Sequence, residues 1–348
     1  MRNIALYTML TFFITFNSTA QNNKQGQIDY LNDVITYANE NIHGLMILHR
    51  MFEYQNLLVL KKLNKDVKIF NVMESDNLPF NIFDDPKKWL FEKSPNEIYH
   101  EIKKNKDVLP KSKTLNVFLM IDEMYAITNE LDQLRFEIEG IIKNLPSDLK
   151  ETDIIINELK SHYKLVERQY DSYFELNIEF ENLMQNMITD LNLISDENQN
   201  IRFLMLCDEI YGTQKKIAMS YYKKDVSNID SLYKVNLNLL KKIENTIRPH
   251  TLPKNMEKAI NYTENITKQI LKINDKIKSS DDPNNENMKS YEKMDPFYLN
   301  YNFKILSSLN RYGNGLIYEL NRLISLYNIP KLKYLELPNY YKMAWIDE

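Results

Sequence analysis

The side chains of this chain that could do chemistry are few and lie far apart in the sequence. There are five histidines and one cysteine among 348 residues. The stretch Glu97-Ile98-Tyr99-His100 matches Glu-x-x-His, through which helical bundles supply a carboxylate and an imidazole to a di-iron site. Such a site needs a second copy of the motif and two further glutamates that face it. We interpret the match as one that arises by chance among 48 acidic residues, and we predict no bound transition metal.

The other histidines and the cysteine are predicted to be structural. His43 and His49 are six residues apart and would point to different faces of one helix, and we interpret His49 as a histidine at the edge of the core. Cys207 follows an apolar run, which is typical of a buried and inert thiol. The sequence contains no Gly-x-Ser-x-Gly, P-loop, Gly-x-Gly-x-x-Gly or His-Glu-x-x-His motif. We therefore predict no catalytic residues and no cofactor.

The composition indicates that helices must position these residues. Only 6 of 348 residues are glycine, whereas an average chain has about 7%. Folds rich in β-turns or phosphate loops need more glycine than this. The chain is 43% hydrophobic and 26% charged, with a net charge of −4, which excludes a disordered chain and argues against a nucleic-acid-binding protein. We predict an all-α protein built from a small number of long helices.

Apolar residues at steps of three and four predict an elongated antiparallel helical bundle with long heptad-type helices. The strongest seam includes Tyr163, Tyr170 and Tyr173, which we expect to be buried. Gly313 and Gly315 interrupt the last helix and indicate close backbone packing or a kink. The predicted helices cover about 30–63, 115–145, 152–193, 200–223, 228–247, 256–277 and 297–327. Three stretches differ from this pattern: an irregular aromatic excursion at 66–110, a polar loop at 279–295 and an aromatic C-terminal segment at 329–348.

The aromatic C-terminal segment is the candidate interaction element. Pro330 and Pro338 prevent a continuous helix there, so its side chains cannot join the heptad seams. Aromatic side chains bury about 150–250 Å² each, too much to leave in water. They therefore either cover the bundle's own surface or contact a partner, and both alternatives remain open. The candidate partner-binding residues are Tyr334, Tyr340, Tyr341 and Trp345.

Residues 1–20 are typical of a cleavable secretion signal. Arg2 provides the positive charge, residues 4–16 form an apolar stretch of 13 residues, and Ser18-Thr19-Ala20 is a small-residue cleavage site. The apolar stretch is shorter than the roughly 20 residues of a membrane-spanning helix. We expect cleavage after Ala20, a helical bundle over 21–348, and a location in the periplasm or at the cell surface.

Four local features of the sequence belong together: Asn41-Ile42-His43-Gly44 with Leu48-His49-Arg50, residues 83–89 with Ser94-Pro95, residues 309–315 with Glu319-Leu320-Asn321-Arg322, and residues 337–342. Together these features resemble one group of secreted Gram-negative envelope proteins. In that group a long helical region precedes a von Willebrand factor A domain, which is a metal-dependent adhesion module. The resemblance implies the helical region alone, because the chain lacks the Asp-x-Ser-x-Ser motif that holds the metal of the adhesion module.

These observations favour a non-catalytic exported helical scaffold or adaptor that binds another envelope protein. A small-molecule-binding module of the helical sensor type is the main alternative. A hydrolase or metalloenzyme, and a helical pore-forming protein, are weaker alternatives, because paired catalytic residues and strongly apolar segments are not found. The expected partner is a protein, and neither nucleic acid nor a membrane-spanning segment of the mature chain is expected.

Overall fold

The protein is an all-α helical bundle, as predicted. The computed structural model describes residues 2–62, 80–84, 91, 93–145, 152–191, 193, 199–225, 227–247, 268, 295–310, 315–326 and 328–343; for residues 2–23 and a few helix-end positions it describes only the backbone. No strand occurs in these ranges. The helices are α1 (Arg2–Lys62), α2 (Pro95–Lys104), α3 (Lys111–Lys143), α4 (Thr152–Asp190), α5 (Gln199–Tyr222), α6 (Ile229–Ile247), α7 (Pro296–Leu299), α8 (Leu306–Leu309) and α9 (Leu316–Leu326).

Helix α1 is the central element of the bundle. Between Ile28 and Leu60 it is buried on almost every side, not along one stripe. A helix that is covered all round must also bury polar side chains, and these then need hydrogen-bond partners inside the protein. Such buried polar residues include Asn39, His49 and Glu53. The sequence pattern identified the apolar seam of α1 but not this complete burial.

Helices α3 and α4 form a long antiparallel pair beside α1. Glu137 of α3 lies 3.4 Å from His162 of α4, and Lys113 pairs with Asp190 at the opposite end. The predicted seam residues of α4, including Tyr163, are buried. Helices α1 and α3 run in the same direction, since hydrogen bonds join them at increasing positions in both: Tyr37 to Ile121, Gln55 to Arg135 and Lys62 to Ile142.

The predicted aromatic excursion lies in the connection between these two parallel helices. The side chain of Ser94 accepts a hydrogen bond from the Glu97 N–H at 3.2 Å and begins α2, as its sequence predicts. The fully buried Arg135 donates to the Phe80 carbonyl oxygen at 3.0 Å, which ties the excursion to α3. Phe83 and Phe91 are buried, so the described part of the excursion packs on the bundle.

The last predicted helix, about 297–327, is wrong as a continuous element. Between α7 and α8 the helix widens into a π-helical stretch, Asn300–Ile305, and it ends at Asn310, whose backbone is extended. Helix α9 then begins at Leu316. A Cβ atom on Gly315 would lie 1.9 Å from the Asn310 carbonyl oxygen, so the expected close backbone packing is present at this glycine. The backbone N–H of Asn310 still donates to the Leu306 carbonyl oxygen at 2.9 Å, whereas its side chain bonds outside the helix, to Leu337.

Several predicted boundaries change, and others fall outside the description. Helix α1 begins at Arg2, well before the predicted residue 30. The starts and ends of α3, α4, α5 and α6 differ from the predicted ones by a few residues. The predicted helix 256–277 and polar loop 279–295 lie outside the described residues, apart from Lys268 and Asp295. Within the described ranges, no helix has a stretch that is long and apolar enough to cross a bilayer.

Substituting Gly44 by alanine should destabilise the bundle. A Cβ atom there would lie 2.4 Å from Cε1 of the buried Phe83 ring, so α1 and the excursion would have to separate. We expect Gly44→Ala to lower the free energy of unfolding by about 1–3 kcal/mol, measured by urea denaturation.

Gly140→Ala provides the matched control. Gly140 also lies in a helix, but a Cβ atom there would have nothing within 4 Å. Alanine should therefore stabilise this position by up to about 1 kcal/mol. Equal effects of the two substitutions would contradict the proposed contact between Gly44 and Phe83.

Candidate functional site

The C-terminal segment, defined here as residues 331–343, is an extended peptide inside a helical bundle. It has no helix or strand, yet nearly all of its residues from Leu332 to Met343 are buried. Backbone N–H and C=O groups removed from water need hydrogen-bond partners, and irregular segments usually avoid this requirement by staying on the surface. In this protein, side chains of the surrounding helices provide the partners.

Two asparagines of α1 bond to the first half of the segment. Asn32 donates to the Lys331 carbonyl oxygen at 3.1 Å and accepts from the Lys333 N–H at 2.7 Å. Asn39 bonds in the same way three residues further along the segment, to the Tyr334 carbonyl oxygen and the Glu336 N–H (3.0 and 2.8 Å). Seven residues of helix rise about 10.5 Å and three extended residues about 10 Å, so the two repeats match.

Three further asparagines, from outside α1, also bond to the segment. In each case the side-chain amide and the backbone of one segment residue exchange two hydrogen bonds. The pairs are Asn321 with Tyr334 (2.8 and 2.6 Å), Asn310 with Leu337 (2.7 and 3.1 Å) and Asn302 with Tyr340 (3.1 and 3.2 Å). We call the site formed by Asn32, Asn39, Asn302, Asn310 and Asn321 the asparagine groove. Tyrosine hydroxyls satisfy two of the remaining carbonyl oxygens, those of Leu335 and Pro338, both at 2.8 Å.

The side chains of the segment join two hydrophobic clusters of the bundle. Leu332, Leu335 and Tyr341 belong to the cluster around α1, α3 and α4. The cluster around α5 and the last helices instead includes Tyr334, Leu337 and Tyr340. The segment therefore lies at the boundary between the two clusters and contributes to both.

The candidate partner-binding tyrosines are therefore placed inside their own chain. Tyr334, Tyr340 and Tyr341 are all buried; the ring of Tyr341, for example, stacks on Tyr170 with centroids 5.9 Å apart. Of the two alternatives for these side chains, docking on the bundle is the one observed, because the two clusters cover them. They do not form an exposed partner surface in this conformation. Trp345 lies outside the described residues.

His49 forms a buried polar network with Tyr298 and Glu53. Its Nε2 atom lies 2.6 Å from the Tyr298 hydroxyl, which lies 3.0 Å from Oε1 of Glu53. A hydrogen bond also links His49 to the backbone of Tyr340 in the segment. His49 and Glu53 are one helical turn apart in α1, and both are inside the core instead of at its edge. The network thus connects α1, α7 and the C-terminal segment.

Burial disfavours the charged forms of the ionisable members of this network. The pKa of His49 is lowered to about 3, first by loss of hydration and then by the nearby Arg50 charge, against the opposing effect of the Tyr340 hydrogen bond. Loss of hydration raises the pKa of Glu53 to about 7, and the hydrogen bond with Tyr298 opposes this rise. Hydroxyl, imidazole and carboxyl groups can then form one uncharged hydrogen-bonded chain. Removal from water, not attraction between opposite charges, controls this arrangement.

The two Glu-x-x-His motifs do not form a metal centre. Glu40-Asn41-Ile42-His43 in α1 is a second copy, which the interpretation of Glu97-Ile98-Tyr99-His100 as an isolated match overlooked. Glu40 is buried in α1, whereas Glu97 and His100 are on the exposed face of α2. His100 instead packs against the Tyr99 ring. In the part of the chain that the structure describes, no three His, Cys, Asp or Glu side chains come together as metal ligands.

Cys207 is buried, as its apolar neighbours in the sequence predict. Burial, together with the nearby charge of Asp208, raises the pKa of its thiol, so the reactive thiolate is disfavoured.

The asparagine groove was not predicted from the sequence. The available indication was the spacing of Asn32 and Asn39, seven residues apart in the same helix, because polar residues at one heptad position mark a shared face.

Removing one asparagine of the groove should destabilise the protein according to its burial. Asn310→Ala leaves the Leu337 N–H and C=O groups buried without these partners, which should cost about 2–4 kcal/mol. Asn321→Ala should cost about half as much, because Asn321 is only partly buried and the Tyr334 carbonyl keeps its bond to Asn39. Urea denaturation of both variants tests this order. A smaller loss for Asn310→Ala than for Asn321→Ala would contradict it.

The raised pKa of Glu53 predicts a pH-dependent stability difference between the wild type and Glu53→Gln. The folded state binds the Glu53 proton more tightly than the unfolded state, where the pKa is near 4.5, so Glu53 lowers stability as the pH rises from about 4.5 to about 7. The variant lacks this effect. Its stability relative to the wild type should therefore increase over that range by roughly 1–3 kcal/mol.

Denaturation curves at several pH values measure this difference. The lowered pKa of His49 makes stability rise with pH from about 3 to 6.5 in both proteins, and this contribution cancels in the comparison. Glu123→Gln, at an exposed position of α3, gives the baseline. A stability difference between Glu53→Gln and the wild type that does not vary with pH would exclude the neutral network.

Comparisons with known proteins identify no relative of this chain. No family model, no curated protein and no solved structure matches it. The resemblance to the helical region of secreted envelope proteins therefore remains a prediction. The interpretation of the asparagine groove and the buried network depends on their geometry alone.

Proposed function

We propose that this protein is a non-catalytic, exported helical scaffold or adaptor that binds another envelope protein. The observation that carries the proposal is an apolar surface on the solvent side of α3. Leu115 and Leu119 are one turn apart and 58% and 60% exposed, and Phe118 between them is half-buried. Exposed apolar side chains that lie together on one helix face form a small patch that a partner protein can cover. We call these three residues the α3 patch.

The position of the reactive side chains supports a non-catalytic role. Cys207, His49 and Glu53 are each at most 3% exposed, and tyrosine rings pack around the last two. A substrate would need access to such groups, whereas a binding protein needs accessible contact area. In the described part of the chain, these groups lie in the core and the α3 patch lies outside.

The charges beside the α3 patch indicate how a partner would approach it. Lys103 lies 4.2 Å from the centroid of the Phe118 ring and 2.7 Å from Asp122, so its charge is already used on the α2 side. The exposed carboxylate of Glu123 is one turn beyond Leu119. This arrangement favours a partner with an apolar centre and a basic group at its edge. The expected secretion signal at residues 1–20 places such a partner in the envelope.

Charging the α3 patch should abolish partner binding without unfolding the protein. Leu115→Glu/Leu119→Glu replaces two exposed side chains, so the melting temperature should change by only a few degrees. In a pull-down from envelope extract, the protein partner recovered by the wild type should be lost or reduced at least about tenfold, since two central apolar contacts disappear. Binding of the purified partner to both forms then gives the change in Kd.

Met205→Glu is the matched control for this experiment. Met205 is also 60% exposed, but it lies on α5 instead of on the α3 patch. This variant should retain the partner with unchanged affinity. Equal retention by the α3 double variant, or recovery of no envelope protein by the wild type, would contradict the proposed function.

A further inference from the structure

The asparagine groove recognises an extended peptide mainly through its backbone. Its five asparagines bond to N–H and C=O groups, which every peptide carries, in the manner of a β-strand that adds to a sheet edge. Sequence preference comes from the two hydrophobic clusters, which receive Tyr334, Leu337 and Tyr341. None of these contacts requires that the peptide be covalently joined to the helices around it.

The chain connects the segment to the bundle through a short turn that could open. Asn328 has a positive φ of 46°, and both Asn328 and Pro330 are exposed. A positive φ is unfavourable for a residue with a Cβ atom, although asparagine tolerates it better than most. Backbone bonds from Asn328 to Ser325 (3.4 Å) and from Ile329 to Ile324 (3.0 Å) hold the turn to α9. An extended connection would lose these two bonds and relieve the positive φ.

We propose that the asparagine groove is a peptide-binding site, and that residues 331–343 of a second copy of the chain can occupy it in place of the chain's own segment. The second copy is the occupant because every contact in the groove already fits this sequence. The exchange of identical elements keeps those contacts and changes only the connection. It therefore forms a dimer with little loss of free energy. The proposal is independent of the α3 patch and of any envelope partner.

The first test asks whether the groove binds a separate peptide. A protease site is inserted between Pro330 and Lys331 of the full chain, the purified protein is cleaved after folding, and a fluorescent synthetic peptide of residues 331–348 is added. We expect the labelled peptide to replace the original segment and to co-elute with the bundle in size-exclusion chromatography. A control peptide carries N-methyl groups on the backbone nitrogens of Leu337 and Tyr340. These groups remove the two N–H donors that bond to the side-chain oxygens of Asn310 and Asn302.

The methylated peptide should bind at least about tenfold more weakly, because two buried hydrogen bonds are lost. Equal incorporation of both peptides would overturn backbone recognition by the asparagines. Far-UV circular dichroism follows the fold after cleavage. A cleaved bundle that unfolds, or one that stays folded but excludes the labelled peptide, would also overturn the proposal, because the groove would then need its covalent connection.

The second test asks whether another copy supplies the segment. Asn328→Val disfavours the positive φ through its β-branched side chain, and Asn328→Gly accepts it without strain, so the pair changes the turn in opposite directions. For each variant, two samples of the full chain with different fluorophores are mixed and energy transfer is recorded with time. Transfer should be greatest for Asn328→Val, with a matching dimer peak, and smallest for Asn328→Gly.

Absence of energy transfer in every sample at high concentration would exclude the second copy as the source of the peptide. The Leu115→Glu/Leu119→Glu variant is included in the same measurement. The α3 patch includes no residue of the turn at 328–330, so energy transfer for this variant should equal that for the wild type. If the α3 double variant loses the envelope partner but exchanges C-terminal segments as the wild type does, the two proposals are independent. Failure of one proposal then leaves the other standing.

Discussion

The fold depends on hydrogen bonding a buried peptide that has no secondary structure of its own. Residues 331–343 lie between two hydrophobic clusters, and their backbone could not leave water without replacement partners. The asparagine groove supplies these partners from α1, from the π-helical stretch, from the break at Asn310 and from α9. The interrupted helical region is part of the same arrangement, since the π-helical stretch carries Asn302, the end of α8 carries Asn310, and the side chains of both bond to the segment.

The 23 tyrosines of the chain have a related physical role. Tyrosine covers large apolar area and also carries a hydroxyl that can satisfy a buried carbonyl or carboxyl group. Tyr211 and Tyr301 donate to the segment backbone, while Tyr298 links His49 to Glu53. The same residue type thus fills the core and completes its polar network. This combination lets the protein bury a histidine and a glutamate whose charged forms are disfavoured, without an ion pair between them.

The buried and the exposed side chains of this protein differ in chemical character. Cys207, His49 and Glu53 are enclosed, whereas Leu115 and Leu119 are exposed on α3. Three of the four sequence features that resemble the envelope proteins also meet in the structure around the C-terminal segment: His49 of α1 bonds to the Tyr340 backbone, Asn310 and Asn321 bond to the segment, and residues 337–342 belong to it. Geometry alone accounts for their convergence, because these features supply both the peptide and the side chains that hold it.

Periodicity determined which residues form helices and which faces are apolar. The seams of α3 and α4, the Ser94 helix start and the absence of helix around Pro338 could all be read from the sequence, because these properties depend on local spacing and backbone chemistry. Only the tertiary structure decided that α1 is covered on every side and that Asn39, Asn310 and Asn321 face one peptide. These asparagines are up to 282 residues apart (321 − 39), and a polar side chain in a sequence does not reveal a distant backbone partner. Burial of Tyr334, Tyr340 and Tyr341 was one of two alternatives from sequence, and long-range packing selected it.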